Sequence, residues 1–168
     1  MSRSTRTLPV VFAIAVMALA GCTAATPAST PSAAPATSGP CEKVTVVVDF
    51  GVLKQPSIKA CVSPGLASDV LKEASVTTVG TADYGNQVVC RVNNEPTPEE
   101  TVTIPGQPPF VESCNTLNSV AYWALWVKTS SDAKWDYAQD GVTTLKLTAG
   151  ESVGLVYTPG TESTPPGN

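Results

Sequence analysis

The chain has 168 residues, of which 42% are hydrophobic, and its 10 basic and 14 acidic side chains give a net charge of −4 at pH 7. A surface of this sign is repelled by phosphate backbones, which disfavours nucleic-acid binding. The absence of histidine removes the residue most often used for general acid–base catalysis.

The amino-terminal segment has the layout of an export signal. Arg3 and Arg6 precede an apolar run over residues 8–20, and small residues follow at Leu19-Ala20-Gly21-Cys22. The run is too short to span a bilayer. The tetrapeptide resembles the lipobox of bacterial lipoproteins, which implies a signal peptide over residues 1–21 and a diacylglycerol on Cys22. We therefore expect a lipid anchor on the outer face of the cell membrane.

Residues 22–40 consist almost wholly of Thr, Ala, Pro and Ser. Such a composition buries too little apolar surface to fold, so we predict a disordered tether between the anchor and one domain. Removal of residues 1–21 takes away two arginines and leaves a net charge of −6. The lipid would then have to hold the protein at the membrane without help from electrostatic attraction to anionic lipids.

A β-hairpin is predicted at the start of the domain. Residues 44–48 are β-branched throughout, residues 49–56 supply turn chemistry, and residues 57–62 form the second strand. Cys41 and Cys61 lie at the hairpin's open end, so we expect them to form a disulfide. Sequence order then pairs Cys90 with Cys114, and an even set of cysteines is typical of exported chains. The spacings differ from those of metal sites, and we predict no metal and no cofactor.

One short helix is predicted next. Leu66, Val70, Leu71 and Ala74 recur at helical spacing, with Ser68 as a plausible cap. Residues 87–92 read as a third strand. Residues 95–113 contain five prolines and no usable period, which predicts a long loop that is functional or disordered.

The segment 119–141 carries all three tryptophans. Residues 121–127 fit either a helix or a strand, and we favour a strand because the run is short and aromatic and is followed by a polar turn and a second aromatic segment, residues 135–137. The two segments would form a hairpin. Residues 142–147 and 152–157 are the last predicted strands, so the domain covers residues 41–158 and residues 159–168 form a disordered tail.

This element order predicts an α+β fold, a β-grasp-like mixed sheet with one short helix and two disulfides. The chain over residues 44–158 also resembles the transcobalamin-like carboxy-terminal domain of bacterial secreted proteins. The resemblance rests on short motifs: Ser68-Asp69-Val70-Leu71, Cys90-Arg91-Val92-Asn93-Asn94 with Pro96, Tyr122-Trp123, Trp135, and Gly150 before Leu155-Val156-Tyr157. It implies a β-grasp domain and a corrinoid-like small ligand.

The aromatic segment supplies the candidate binding residues, namely Tyr122, Trp123, Trp126, Trp135 and Tyr137. On a strand, Tyr122 and Trp126 share one face and Trp123 takes the other, and we expect Trp123 and Trp135 on the face that the helix leaves open. We predict a non-catalytic binding module that captures a small ligand or docks a transporter or exported protein. The alternative is a purely structural envelope lipoprotein whose aromatic side chains all belong to the core.

Catalysis is disfavoured because every thiol has another assignment. Ser131 and Lys134 match the Ser-x-x-Lys pattern of penicillin-recognising enzymes, but they fall in a polar turn rather than at the start of a buried helix.

Overall fold

The computed structural model describes residues 41–160 and 164–167. The predicted signal peptide, the predicted lipidation site Cys22 and the predicted tether lie outside the described residues. The elements, in chain order, are β1 Val44–Asp49, a 3₁₀ turn Gly51–Leu53, β2 Ile58–Val62, β3 Gly65–Leu66, α1 Ala67–Glu73, β4 Thr78–Thr81, β5 Gly85–Val92, β6 Thr101–Val102, β7 Phe110–Val111, β8 Ala121–Lys128, β9 Asp136–Tyr137, β10 Lys146–Leu147 and β11 Ser152–Pro159.

A five-stranded mixed sheet forms the centre of the fold, in the order β2-β1-β11-β8-β9. The strands β1 and β11 pair in parallel, while β1 with β2, β11 with β8 and β8 with β9 pair antiparallel. The predicted α+β class is confirmed, because the structure is mostly sheet with one short helix.

Both predicted hairpins and both predicted disulfides are confirmed. β1 pairs with β2, and the Cys41–Cys61 bond joins their open end with 5.7 Å between the Cα atoms. The bond between Cys90 and Cys114 spans 5.5 Å between Cα atoms. The strand interpretation of residues 121–127 is also confirmed, since β8 continues through Lys128 and pairs with β9.

Helix α1 begins two residues earlier than the predicted cap at Ser68 implies. Leu66 occupies the N-cap position, and no side chain caps the helix, so the prediction of Ser68 as the cap is wrong. The first free amides of the helix bond to distant backbone instead: Ala67 N–H donates to the Leu145 carbonyl and Ser68 N–H to the Val142 carbonyl. The segment after residue 141 therefore satisfies a helix end that is usually satisfied by a local side chain.

The predicted third strand lies in a separate small sheet. β5 pairs with β4, a strand that the sequence analysis missed, rather than with the five-stranded sheet. The loop 95–113 contains the short hairpin β6–β7. Its residues Val102 and Ile104 are buried in the same core cluster as Val70 and Leu71 of the helix. Helix and loop therefore cover the same face of the five-stranded sheet, which we call the core face.

The predicted strand 142–147 is mostly wrong, and the structure shows a contact in the tail. Residues 142–144 form a turn, so only Lys146–Leu147 of the predicted strand 142–147 is extended. β11 runs to Pro159, and Pro166 in the predicted disordered tail is buried. Local sequence patterns do not reveal that burial, because it depends on contact with the strand β11, described below.

Candidate functional site

The strand β8 distributes its aromatic side chains to opposite faces of the sheet. Trp123 points into the core face, where it is 4% exposed and packs edge-on against Phe50 and Tyr157 at centroid distances of 5.3 and 5.4 Å. Its indole N–H donates to the Glu95 carbonyl at 3.2 Å. The expectation that Trp123 lies on the open face is therefore wrong, because helix and loop both pack on its side of the sheet.

The other four predicted site residues lie together on the opposite side of the sheet. Pairing places Tyr137 of β9 beside Trp126, and Gly154 of β11 on Trp126's other side. Directly opposed residues in a sheet project to the same side. We define the aromatic face as Tyr122, Ala124, Trp126, Trp135, Tyr137, Gly154 and Val156.

Within the aromatic face, the rings of Trp126 and Tyr137 are stacked, with centroids 4.1 Å apart and an interplanar angle of 22°. Tyr137 is 39% exposed, whereas Trp126 is only 6% exposed. The Lys128 ammonium lies 5.5 Å from the Trp135 ring centroid, within the range of a cation–π interaction. The face is thus an ordered aromatic cluster with one accessible edge at Tyr137.

The hydroxyl oxygens of Tyr122 and Tyr137 lie 3.4 Å apart and share a hydrogen bond. This hydrogen bond, together with partial burial, raises the pKa of Tyr122 to about 12. Both effects favour the protonated phenol. At physiological pH the Tyr122 hydroxyl is therefore neutral and can donate or accept a hydrogen bond.

Two indole N–H groups on the aromatic face are buried and have no acceptor among the residues that the structure describes. They belong to Trp126 and Trp135. An unpaired buried donor costs about 1–3 kcal/mol, so such groups require an explanation. Trp123 on the core face shows the usual arrangement, with its N–H satisfied by a backbone carbonyl. On the core side, the Tyr157 hydroxyl and the Arg91 Nε are also buried without a described partner, so the aromatic face differs in having two indole donors close together.

Gly154 makes room for a close approach at the middle of β11. A Cβ at this position would collide with the ring of Pro166 and lie 3.3 Å from the indole of Trp135. A glycine inside a strand weakens the strand and often marks a point where another segment approaches closely. Gly154 and Pro166 are the two site residues that the sequence analysis missed. The glycine within the apolar run 152–157 was the available signal.

Two concave features adjoin these faces. A shallow groove of about 500 Å³ lies beside Tyr137, between Lys128 and Lys146, and is also lined by Asp136, Asp140 and Glu151. A small cavity of about 10 Å³ lies on the core side against Tyr157 and Glu112. Ligand pockets usually measure about 300–1,000 Å³. The groove is therefore large enough for a small ligand, but it is open and its lining mixes charged side chains with the apolar Val127, Leu145 and Leu147. The cavity is far too small.

A buried polar cluster surrounds the second disulfide. Arg91 contacts the sulfur of Cys114 at 2.6 Å and donates to the Glu112 carbonyl at 2.7 Å, and the Glu112 carboxylate accepts from the Cys114 N–H at 2.8 Å. Cys90, Glu112 and Cys114 are spaced like metal ligands. Both sulfurs are in a disulfide, however, and a metal requires the thiolate. The cluster anchors the loop 95–113 and holds no site for an ion.

Burial and the charge of Glu112 also raise the pKa of the neighbouring Tyr157 phenol. Ser131 and Lys134 are both exposed in the turn between β8 and β9. Among the described residues, the Ser131 hydroxyl hydrogen-bonds to the carboxylate of its neighbour Asp132.

Among residues 41–160 and 164–167, no helix is long and apolar enough to cross a membrane. Comparisons of the chain with family models, curated proteins and solved structures gave no match.

Proposed function

We propose that this protein is a non-catalytic binding module, held on the outer face of the cell membrane by a lipid on Cys22, and that the aromatic face is its binding site. The observation that carries the proposal is the pair of buried, unpaired indole N–H groups at Trp126 and Trp135. They lie beside the accessible ring of Tyr137. Aromatic clusters with a few convergent polar groups are typical of recognition surfaces.

The proposed fold is a β-grasp, related to the transcobalamin-like domain. The strand order β2-β1-β11-β8-β9, with the first and last strands adjacent and parallel, supports this assignment. The helix α1 follows the first hairpin in the chain and packs on the core face. In this arrangement helix α1 and the loop 95–113 leave the opposite face of the sheet uncovered.

A protein partner is favoured over a corrinoid-like small ligand. The aromatic face belongs to an extended strand surface, and a large planar cofactor would need an enclosing wall on its other side. The groove beside Tyr137 has mixed charges, with two lysines and three carboxylates, which suits hydrogen-bonded peptide better than an apolar ring system. We therefore infer docking of a transporter or another exported protein.

The site is tested by photo-crosslinking of the membrane-tethered chain. A benzophenone amino acid replaces Tyr137 in one variant and Tyr84, which is 58% exposed and lies outside the aromatic face, in the matched control. We expect a discrete adduct from position 137 and none from position 84. Equal adducts from both positions, or none from 137, would contradict the proposal and favour the alternative of a structural envelope lipoprotein.

The anchor is tested separately by Cys22→Ala. We expect this variant to lose labelling by a clickable fatty acid and to leave the membrane fraction, with its thermal melt unchanged, because anchor and domain are separated by residues 23–40. If the Cys22→Ala variant stayed in the membrane fraction and were still labelled by the fatty acid, the lipid anchor on Cys22 would be refuted. The proposal for the binding site would be unaffected.

A further inference from the structure

The carboxy-terminal segment lies on the aromatic face. Pro166 is buried while its neighbours Thr164, Pro165 and Gly167 are exposed. The Pro166 ring and the Trp135 indole both lie against the point where Gly154 lacks a side chain. A proline ring and an indole ring therefore share the space above the bare backbone of β11 at Gly154.

This contact has the chemistry of polyproline recognition. Proline-rich segments dock in aromatic-lined grooves because their extended form is already ordered before binding. Proline has no N–H, so such a segment offers carbonyl acceptors and few donors. The aromatic face offers the complement, two buried indole donors with no acceptor.

The chain's own tail is an incomplete occupant. Pro166 fills the space over Gly154, yet the indole N–H groups of Trp126 and Trp135 still have no acceptor with residues 164–167 in place. A segment that supplied both a proline ring and correctly placed carbonyls would satisfy more of the face than the tail does. Because Pro166 already occupies the space over Gly154, a second proline ring can bind there only if it replaces the tail.

Resting on the function proposed above, we propose that the aromatic face recognises a proline-rich segment of a partner protein, and that the Thr164-Pro165-Pro166-Gly167 tail occupies the site in competition with it. Trp126 and Trp135 donate hydrogen bonds to the incoming carbonyls, and Tyr137 provides the exposed ring at the edge. Gly154 is the residue that leaves space for proline. The tail lowers the apparent affinity by the fraction of time that it covers the site.

The test uses the full chain, ¹⁵N-labelled on its indole groups, and the octapeptide TESTPPGN, which repeats residues 161–168. The matched peptide TESTAAGN lacks both prolines. The parent chain is compared with the double variant Pro165→Ala, Pro166→Ala, whose own tail no longer competes. The Trp123 indole, which donates to the Glu95 carbonyl on the core face, serves as an internal control for an intact fold.

We expect TESTPPGN to shift the Trp126 and Trp135 indole signals but not that of Trp123. Its affinity for the double variant should be at least about fivefold higher than for the parent, which corresponds to a tail that covers the site about 80% of the time. The alanine peptide should bind at least tenfold more weakly. A second variant, Gly154→Ala, should lose peptide binding while the Trp123 signal is unchanged.

Equal affinity of the two peptides, equal affinity of the parent and the double variant, or shifts confined to Trp123 would overturn the proposal. If the peptide fails while the Tyr137 crosslink still forms, the aromatic face remains a binding site and only its preference for proline is wrong. If both fail, the proposed function fails with it.

Discussion

Two tryptophans three residues apart on β8 are almost equally buried but have opposite surroundings. Trp123 is 4% exposed and Trp126 is 6% exposed. The first has edge-on aromatic neighbours and an acceptor for its N–H. The second is stacked on a half-exposed tyrosine and its N–H is unpaired. Burial alone therefore does not distinguish the two indoles, whereas the surroundings of their N–H groups do.

The two faces of the sheet are also covered by different parts of the chain. The core face is covered by helix α1 and by the loop 95–113, whose far end is fastened by the Cys90–Cys114 disulfide. The aromatic face is covered at Gly154 by Trp135 and by a proline of the chain's tail. The loop of the first cover is fastened by a disulfide, whereas the second cover is a terminal segment that we expect to be displaced without unfolding of the sheet.

The largest expected effect is on the core face. Trp123→Ala should lower the free energy of unfolding by about 3–5 kcal/mol, because it removes a large buried ring that contacts Phe50 and Tyr157. Urea denaturation measures this change. Trp126→Ala is the matched comparison and should cost at least about 1 kcal/mol less, since it also removes an unpaired N–H. If the two variants had the same urea concentration at the midpoint of unfolding, the two faces would not differ energetically.

The disulfides come next. The two crosslinks span similar sequence separations, 20 and 24 residues, so loop entropy predicts a nearly equal loss of about 3 kcal/mol for each double Cys→Ser variant. Removal of Cys90 and Cys114 should cost more than removal of Cys41 and Cys61, because the buried Arg91 also contacts the Cys114 sulfur. Denaturation in the absence of reductant decides this, and an equal loss would show that the polar cluster adds nothing.

Sequence patterns predicted what depends on neighbours in the chain or in a hairpin. Two disulfides, the β1–β2 and β8–β9 hairpins and the alternation of Tyr122, Trp123 and Trp126 follow from turn chemistry and a period of two. Which face the helix covers does not follow from them, because it is decided by packing between distant elements. For this reason the sequence misplaced Trp123 on the open face.

The same limit explains the other errors. The amides at the start of α1 are satisfied by carbonyls of Val142 and Leu145, more than 70 residues away, so no capping side chain was needed and Ser68 was a misleading signal. The burial of Pro166 depends on its contact with Gly154 in β11. The sequence of β11 looks like an ordinary apolar strand, so it does not indicate this contact.

Gly154→Ala should detach the tail with little loss of stability. The new methyl group occupies the space of the Pro166 ring, while alanine in a strand recovers part of the entropy that glycine loses, so we expect a change below about 1 kcal/mol. Carboxypeptidase digestion should shorten the variant much faster than the parent. Gly65→Ala is the control, because a Cβ there has no neighbour within 4 Å. Unchanged digestion of the Gly154 variant would show that Pro166 does not hold the tail.

The smallest effect concerns the hydroxyl pair on the aromatic face. The hydrogen bond to Tyr137 is the main reason why the pKa of Tyr122 is raised from 10.0 to about 12. Tyr137→Phe removes the partner, so NMR titration of the Tyr122 ring carbon should show a lower pKa, still above 10.0 because partial burial remains.

The linkage to stability has a definite sign. A phenol whose pKa is raised by folding stabilises the folded state below its unfolded pKa, near 10, and this contribution is lost as the pH rises toward 12. The parent chain should therefore lose more stability than Tyr137→Phe between pH 10 and pH 12, relative to each protein's value at pH 8. Tyr84→Phe, outside the aromatic face, should leave the Tyr122 titration unchanged. If Tyr137→Phe also leaves the Tyr122 titration unchanged, the hydrogen bond between the two hydroxyls does not raise the pKa of Tyr122.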